Sequence, residues 1–143
     1  MLPLRPAGFL LRAVAFLIDM GLLWLVAWLV TIPLDVPFIS ATPADIATAN
    51  VLLTLVAVMV FVSWLYFAGM EASGMQATVG KASMGIYVTD LRGMRASFAR
   101  TTIRHWAKIV STLIVFIGYL MAIVTPRRQA LHDMLAGCLV LKR

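Results

Sequence analysis

The sequence predicts an all-α membrane protein: a small helical bundle of two firm transmembrane helices, a third apolar helical segment that either re-enters or spans, and a short cytoplasmic β element. Three observations carry this reading. Of 143 residues, 62% are hydrophobic and only 13% charged, whereas a soluble domain is about 45–50% apolar. Two apolar runs, at about 8–32 and 49–69, each supply the roughly 20 residues a helix needs to cross a bilayer. The basic residues behind the formal net charge of +6 flank these runs and do not interleave with an aromatic platform, which is the pattern of membrane flanks and argues against nucleic acid. The chain is read as a single membrane domain, 1–143.

The first run, Gly8 to Val30, holds two opposite charges, Arg12 and Asp19. On insertion scales each costs about 2.5–3.5 kcal/mol at a helix centre, while a Leu, Val or Phe returns only about 0.3–0.6. Their seven-residue spacing advances a helix by roughly 10 Å and turns it almost twice, so both lie on one stripe yet cannot bond each other directly. The stripe must face a bundle or a watered cavity. Arg12, near one end, can also snorkel to the headgroups; Asp19 is too short for that. Its plainest partner is Thr54 or Ser63 of the second span, which would merely tie the two helices together. A signal peptide is not expected, because the run is too long, holds Asp19 and is followed by no cleavage-site pattern.

In chain order, the first helix is expected to start near Pro6 or Ala7, with proline in its first turn. Pro33, Pro37 and Pro43 punctuate the loop that follows, which holds Asp35 and Asp45 and no Lys or Arg up to about Ala47. Trp24 and Trp28 mark that boundary or pack between helices. The uncharged run Val51 to Ala68 makes the second span, with Trp64 and Tyr66 at its far boundary. A cytoplasmic loop, 70–105, then turns polar and glycine-rich. Ile86 to Thr89 leans toward strand, and Asp90-Leu91-Arg92-Gly93 supplies turn chemistry, so Met84 to Asp90 and Met94 to Ser97 are expected to pair as a hairpin. A phosphate loop is rejected in GMQATVGKAS, since five residues separate Gly74 from Gly80 and Ala82 follows Lys81. Gln76, Thr78 and Lys81 instead grip a lipid phosphate or form a capped loop end.

Ser97 is placed to cap a helix in which Arg100, Arg104 and Lys108 recur every four positions opposite Phe98, Thr102, Ile103, Trp106 and Val110. Such a helix lies on a membrane surface before turning in. The third apolar segment, about 106–124, follows, and the tail 125–143 ends in strand-like Leu139 to Leu141. The bases set orientation: of the twelve, Arg5 and Arg12 lie at the N-terminus and six between Glu71 and Lys108, so the N-terminus and long loop belong in the cytoplasm. A re-entrant third segment turning near Gly118 keeps the remaining four, Arg127, Arg128, Lys142 and Arg143, inside as well. A full crossing would export them; the apolar length still permits it.

These features in this order also resemble a known family. The first helix with its Arg and Asp, the QATVGK loop, GIYVTD, SFARTTIR and the closing RRQALHDMLAG are similar to the RDD family of bacterial integral membrane proteins, named for one arginine and two aspartates. The resemblance covers nearly the whole chain. It implies that Arg12, Asp19 and Asp133 are the three name residues, that the protein sits multi-pass in the bacterial inner, or plasma, membrane, and that transport of an unidentified ligand is its usual suggested role.

With a cytoplasmic tail, Asp133 reaches Arg12 and supplies the partner that Asp19 cannot, either as a latch or as part of a transport core. His132 and His105 read as interfacial packing residues ahead of proton carriers, with His132, Gln76, Thr78 and Lys81 as candidate supports of the polar core formed by Arg12, Asp19 and Asp133. Single Cys138 cannot form an internal disulfide or by itself a metal site, and no catalytic triad or carboxylate dyad can be assembled, so no enzyme, cofactor or metal is expected. Two functions stand: a small proton- or cation-linked transporter, which at this size needs a homo-oligomer or other membrane proteins, and a membrane accessory or scaffold protein that recruits partners or anionic lipid headgroups through its basic loop.

Overall fold

A computed structural model describes residues 5–31, 46–113, 121–123 and 125–143. Two long helices, α1 (Phe9–Thr31) and α2 (Ile46–Ala72), are followed by the short α3 (Val79–Ser83), strand β1 (Ile86–Asp90), α4 (Phe98–Leu113), α5 (Leu131–Ala136) and strand β2 (Cys138–Lys142). The apolar stretches Phe9–Val30 and Ala49–Ala72 hold 22 and 24 residues. At 1.5 Å per residue they are about 33 and 36 Å long, enough for a hydrocarbon core of about 30 Å. Their outer surfaces are apolar and open, from Leu17 and Trp24 on α1 to Leu53 and Phe61 on α2. That is the exposure expected where lipid takes the place of a protein core.

The packed interior lies at one end of the helices instead of along them. Ala7, Ala15, Ile86, Val88, Ala96, Ala136, Cys138 and Val140 form one buried cluster there. β1 and β2 pair antiparallel over it, from Ile86 opposite Lys142 to Asp90 opposite Cys138. The chain start joins them: Ala7 N–H donates to the Val140 carbonyl at 2.8 Å, and Pro6 bridges to Leu141. Helix α1 therefore begins at Phe9, later than Pro6 or Ala7, because these residues are held extended against β2.

The expected hairpin between Met84–Asp90 and Met94–Ser97 does not form. The turn itself is real: Asp90 Oδ1 accepts the N–H groups of Arg92 and Met94 at 2.8 and 2.9 Å, and Gly93 takes the positive φ that the reversal needs. After a single bridge between Thr89 and Arg95, however, Ser97 caps α4 by accepting the Arg100 N–H, and helix replaces strand. The apolar Leu139–Leu141 then supplies the longer partner for β1.

Helix α4 keeps the two expected faces but buries part of the basic one. Phe98, Ile103, Trp106 and Ile109 are exposed, while Thr101, Arg104, Ala107 and Ser111 are buried. Arg100 at the helix start stays exposed, but Arg104 and Lys108 turn toward α2, where Thr101 Oγ1 donates to the Ala68 carbonyl at 2.9 Å and Lys108 Nζ lies 4.1 Å from the centre of the Phe67 ring. Of the third apolar segment, 106–124, the first part to Leu113 is the end of α4, whereas 114–120 and 124 lie outside the described residues, as does the loop of Pro33, Pro37 and Pro43.

Candidate functional site: a buried charged junction

Five charged side chains from five elements form one continuous chain of contacts. Arg12 on α1 pairs through Nη1 with Asp133 on α5. Asp133 Oδ1 takes the Nε of Arg104 on α4 at 2.7 Å; the Nη1 of Arg104 reaches Glu71 Oε2 on α2 at 2.6 Å; and Glu71 Oε1 pairs with Lys81 on α3. Asp133 and Glu71 are essentially inaccessible, and Arg104 is only 3% exposed. Ion pairs this deep contribute little net stability, because desolvation offsets their attraction, but losing one member strands a charge and costs about 3–5 kcal/mol.

Local sequence places each member. Asp133 lies at the start of α5, where its Oδ2 also accepts the Ala130 N–H at 3.2 Å and benefits from the helix dipole. Gly137 ends that short helix in the left-handed conformation a glycine tolerates, sending the chain straight into β2. Burial pushes the Asp133 carboxyl up, but the charges of Arg104, His132 and Arg12 outweigh it and hold the group well below the usual carboxylate range. His132 beside it is pushed down to about 3, chiefly by burial, with Ser111 Oγ 3.3 Å from Nδ1. Burial likewise lowers the Lys81 ammonium, against the pull of Glu71.

Asp19 forms a second, separate centre one and a half to two turns further along α1. Its Oδ1 accepts the Tyr66 hydroxyl at 2.8 Å and the Gly80 N–H at 2.7 Å, and its Oδ2 accepts the Thr78 hydroxyl at 2.5 Å. Thr78 is at once the N-cap of α3, accepting the Lys81 N–H. The aspartate thus holds the first turn of α3 against α1. Gly80 makes this approach possible: a Cβ there would strike the Ala15 carbonyl and lie 2.9 Å from the Asp19 carboxyl carbon. Neither Thr54 nor Ser63 reaches Asp19, since each donates to a carbonyl of its own helix, Asn50 at 2.8 Å and Val60 at 2.9 Å.

Of the residues singled out from sequence, Arg12 and Asp133 meet, and Asp19 and Thr78 meet. Lys81 belongs to the junction through Glu71, not to an open phosphate grip. Gln76, at φ 53°, sends its Nε2 to the Val88 carbonyl at 3.0 Å and fastens the loop to β1. Sequence reasoning missed Glu71, Arg104, Tyr66 and Gly80. Glu71 carried a signal, as a lone carboxylate closing an uncharged run that must find a cation once buried. Arg104 and Lys108, one turn apart, were that cation supply. Among the described residues no three His, Cys, Asp or Glu side chains gather as a metal would require.

Comparison with known proteins accords with this layout. The RDD family model matches residues 6–137, a span that includes every member of the junction. A Bacillus subtilis strain 168 protein, the uncharacterized protein YxaI, is 29% identical over 143 aligned positions covering 92% of this chain and 93% of its own. No solved structure matches.

Proposed function

The chain belongs to the RDD family of membrane proteins, and from that premise we propose that it is a non-enzymatic membrane accessory protein, two spans carrying a rigid, basic cytoplasmic module that recruits anionic lipid or partner proteins. One observation supports this reading above others. The carboxylates of Asp19, Glu71 and Asp133 are each buried and each already accept two or three donors from the protein. A proton or cation carrier needs a carboxylate that can exchange its partner. Here each is committed to holding one segment to another: α3 to α1, α4 to α2, the tail to both.

The pairing of Arg12 near the start of α1 with Asp133 in the tail supports a topology with both on one side of the bilayer, which the excess of bases assigns to the cytoplasm. Arg5, Arg92, Arg95, Arg100, Arg127, Arg128, Lys142 and Arg143 then remain exposed around the module, a surface suited to anionic headgroups.

A second reading, the small proton- or cation-linked transporter, is favoured by the open apolar faces of α1 and α2, which further copies would cover to enclose a path. Liposome reconstitution with ion and pH reporters tests both. The accessory reading expects no flux from the purified chain; flux that disappears on Asp19→Asn in a well-folded variant would replace it with the transporter.

A further inference from the structure

Where α2 ends and α4 begins, the surface opens into a cleft of about 420 Å³ lined by Gly69, Ala72, Ser73, Arg95, Ser97 and Phe98. It sits at the end of the span Ala49–Ala72, at the depth where the hydrocarbon gives way to headgroups. Arg95 crosses it, with its Nε donating to the Ala72 carbonyl at 2.6 Å. The contact satisfies one of the carbonyls that α2 leaves open at its C-terminus and holds a permanent cation at the rim. Ser73 and Ser97 add hydroxyls.

Below the rim the surface changes character. Phe98 packs edge-on to Trp64 at 5.8 Å between ring centres, and Trp64 tilts against Phe61 at 5.5 Å. Trp64 is fixed by its Nε1 donating to Thr102 Oγ1 at 3.3 Å. Phe61 lies about three turns before the end of α2 at Ala72, so this aromatic strip runs about 15 Å from the cleft toward the bilayer centre. Phe98 and Phe61 keep 45% and 57% of their surface open. A cation above a continuous apolar track is complementary to one kind of molecule, an amphiphile with an anionic head.

We propose that this cleft and strip bind a single anionic phospholipid, its phosphate at Arg95 and Ser97 and an acyl chain along Phe98, Trp64 and Phe61. The assignment rests on the accessory reading and gives it a defined lipid site. A free phosphate would use the rim alone. A zwitterionic lipid presents the same phosphate, but its own cation opposes Arg95, so an anionic phospholipid gains more from the charge-assisted contact at the head while both bury apolar surface along the tail.

The test is titration of the full-length, delipidated protein in detergent with dioleoyl phosphatidylglycerol, dioleoyl phosphatidylcholine or glycerol 3-phosphate, read by native mass spectrometry. Phosphatidylglycerol should bind about fivefold more tightly than phosphatidylcholine, as one interfacial arginine provides, and glycerol 3-phosphate should not displace it. Arg95→Gln should bring phosphatidylglycerol to the phosphatidylcholine level, Arg95→Lys should retain most of the preference, and Phe98→Ala should weaken both lipids. Arg92→Gln, in the exposed turn beyond the cleft and part of the diffuse basic surface, should weaken phosphatidylglycerol binding far less than Arg95→Gln and leave the preference over phosphatidylcholine in place. If Arg92→Gln and Arg95→Gln weaken binding equally, the site is overturned while diffuse recruitment by the basic loop stands. No preference for the anionic lipid in the wild type would overturn both. Should Arg95→Gln lose its helical circular dichroism, Arg95→Lys and Phe98→Ala decide the matter, since loss of the preference in the folded lysine variant or unchanged lipid binding in the alanine variant removes the assignment.

Discussion

Arg12 and Asp133 stand 121 positions apart in the chain and meet in a direct ion pair. The guanidinium comes from the second turn of α1, where its Nε also donates to the Ala7 carbonyl at 3.2 Å, and the carboxylate from the first turn of α5. One contact therefore joins α1, the chain start that pairs with β2, and the tail. Arg104 extends it to Glu71 and so to α2.

Because the pair is buried, its members should be strongly coupled. Asp133→Ala strands Arg12, leaves Arg104 with Glu71 alone and is expected to cost about 3–5 kcal/mol in detergent. Arg12→Ala added to it should cost less than the sum of the single changes, with a coupling of about 0.5–3 kcal/mol. Thermal unfolding of the four proteins measures this directly; strict additivity would show that the two residues do not interact.

The same pair predicts topology. A tail that touches the start of α1 cannot lie across roughly 30 Å of hydrocarbon from it, so reporters fused before residue 5 and after Arg143 should both report cytoplasm. A periplasmic C-terminal signal would be incompatible with the junction.

Acid should loosen the tail in two stages. Folded His132 titrates at about 3 because burial disfavours its charge, whereas in the unfolded chain an imidazole titrates near 6.5. The unfolded state then binds more protons below about pH 6.5, so this contribution is complete above that pH and is lost as pH falls toward 3, by about 2 kcal/mol at pH 5. Asp133, held below its ordinary range, contributes fully above about pH 4 and loses its contribution on further acidification. Melting temperature followed from pH 8 to 4 should decline from about 6.5 downward. In His132→Gln the upper part of that decline should flatten, and an unchanged profile would remove His132 from the account.

Docking of α3 depends on the absence of one carbon. Gly80→Ala forces a Cβ into the Ala15 carbonyl, a backbone atom that cannot swing aside, and should cost at least about 1–3 kcal/mol, as overpacking does. Gly74→Ala, where a Cβ meets nothing within 4 Å, is the control and should stay within about 0.5 kcal/mol of the wild type. Equal melting temperatures for the two variants would mean that α3 is not wedged against α1.

The two long apolar helices and the need of Arg12 for a distant partner were legible in the sequence because both follow from local physics, apolar length and the cost of an unpaired charge. The tail strand showed as apolar Leu139–Leu141, although its pairing with Ile86–Asp90 did not, since a turn signal at Asp90–Gly93 pointed to the nearer partner. The face of α4 was the harder case. Periodicity finds two faces in Arg100, Arg104 and Lys108 against Phe98, Ile103 and Trp106, but it does not say which bases the protein covers, and only the position of Glu71 tells that Arg104 turns inward while Arg100 stays exposed. Gly80 and Tyr66 carried no one-dimensional sign of Asp19, because their role comes from a loop folding back along α1.

Asp19 separates the two functional readings. It accepts three hydrogen bonds, from Tyr66, Thr78 and Gly80, so Asp19→Ala leaves buried donors without an acceptor, each at about 1–3 kcal/mol, and should release α3 and lower the melting temperature sharply. Asp19→Asn differs in one contact. Its amide oxygen can serve Tyr66 and Gly80, and its NH2 group faces the Thr78 hydroxyl, which can rotate to accept. This variant should fold with a loss of about 1 kcal/mol and, under the accessory reading, bind anionic lipid and support the cell as the wild type does. In liposomes neither protein should move protons, Na+ or K+. If the wild type conducts and the folded Asn variant does not, the ionised carboxylate is needed for more than holding α3, and the charge on Asp19 belongs to a transport step.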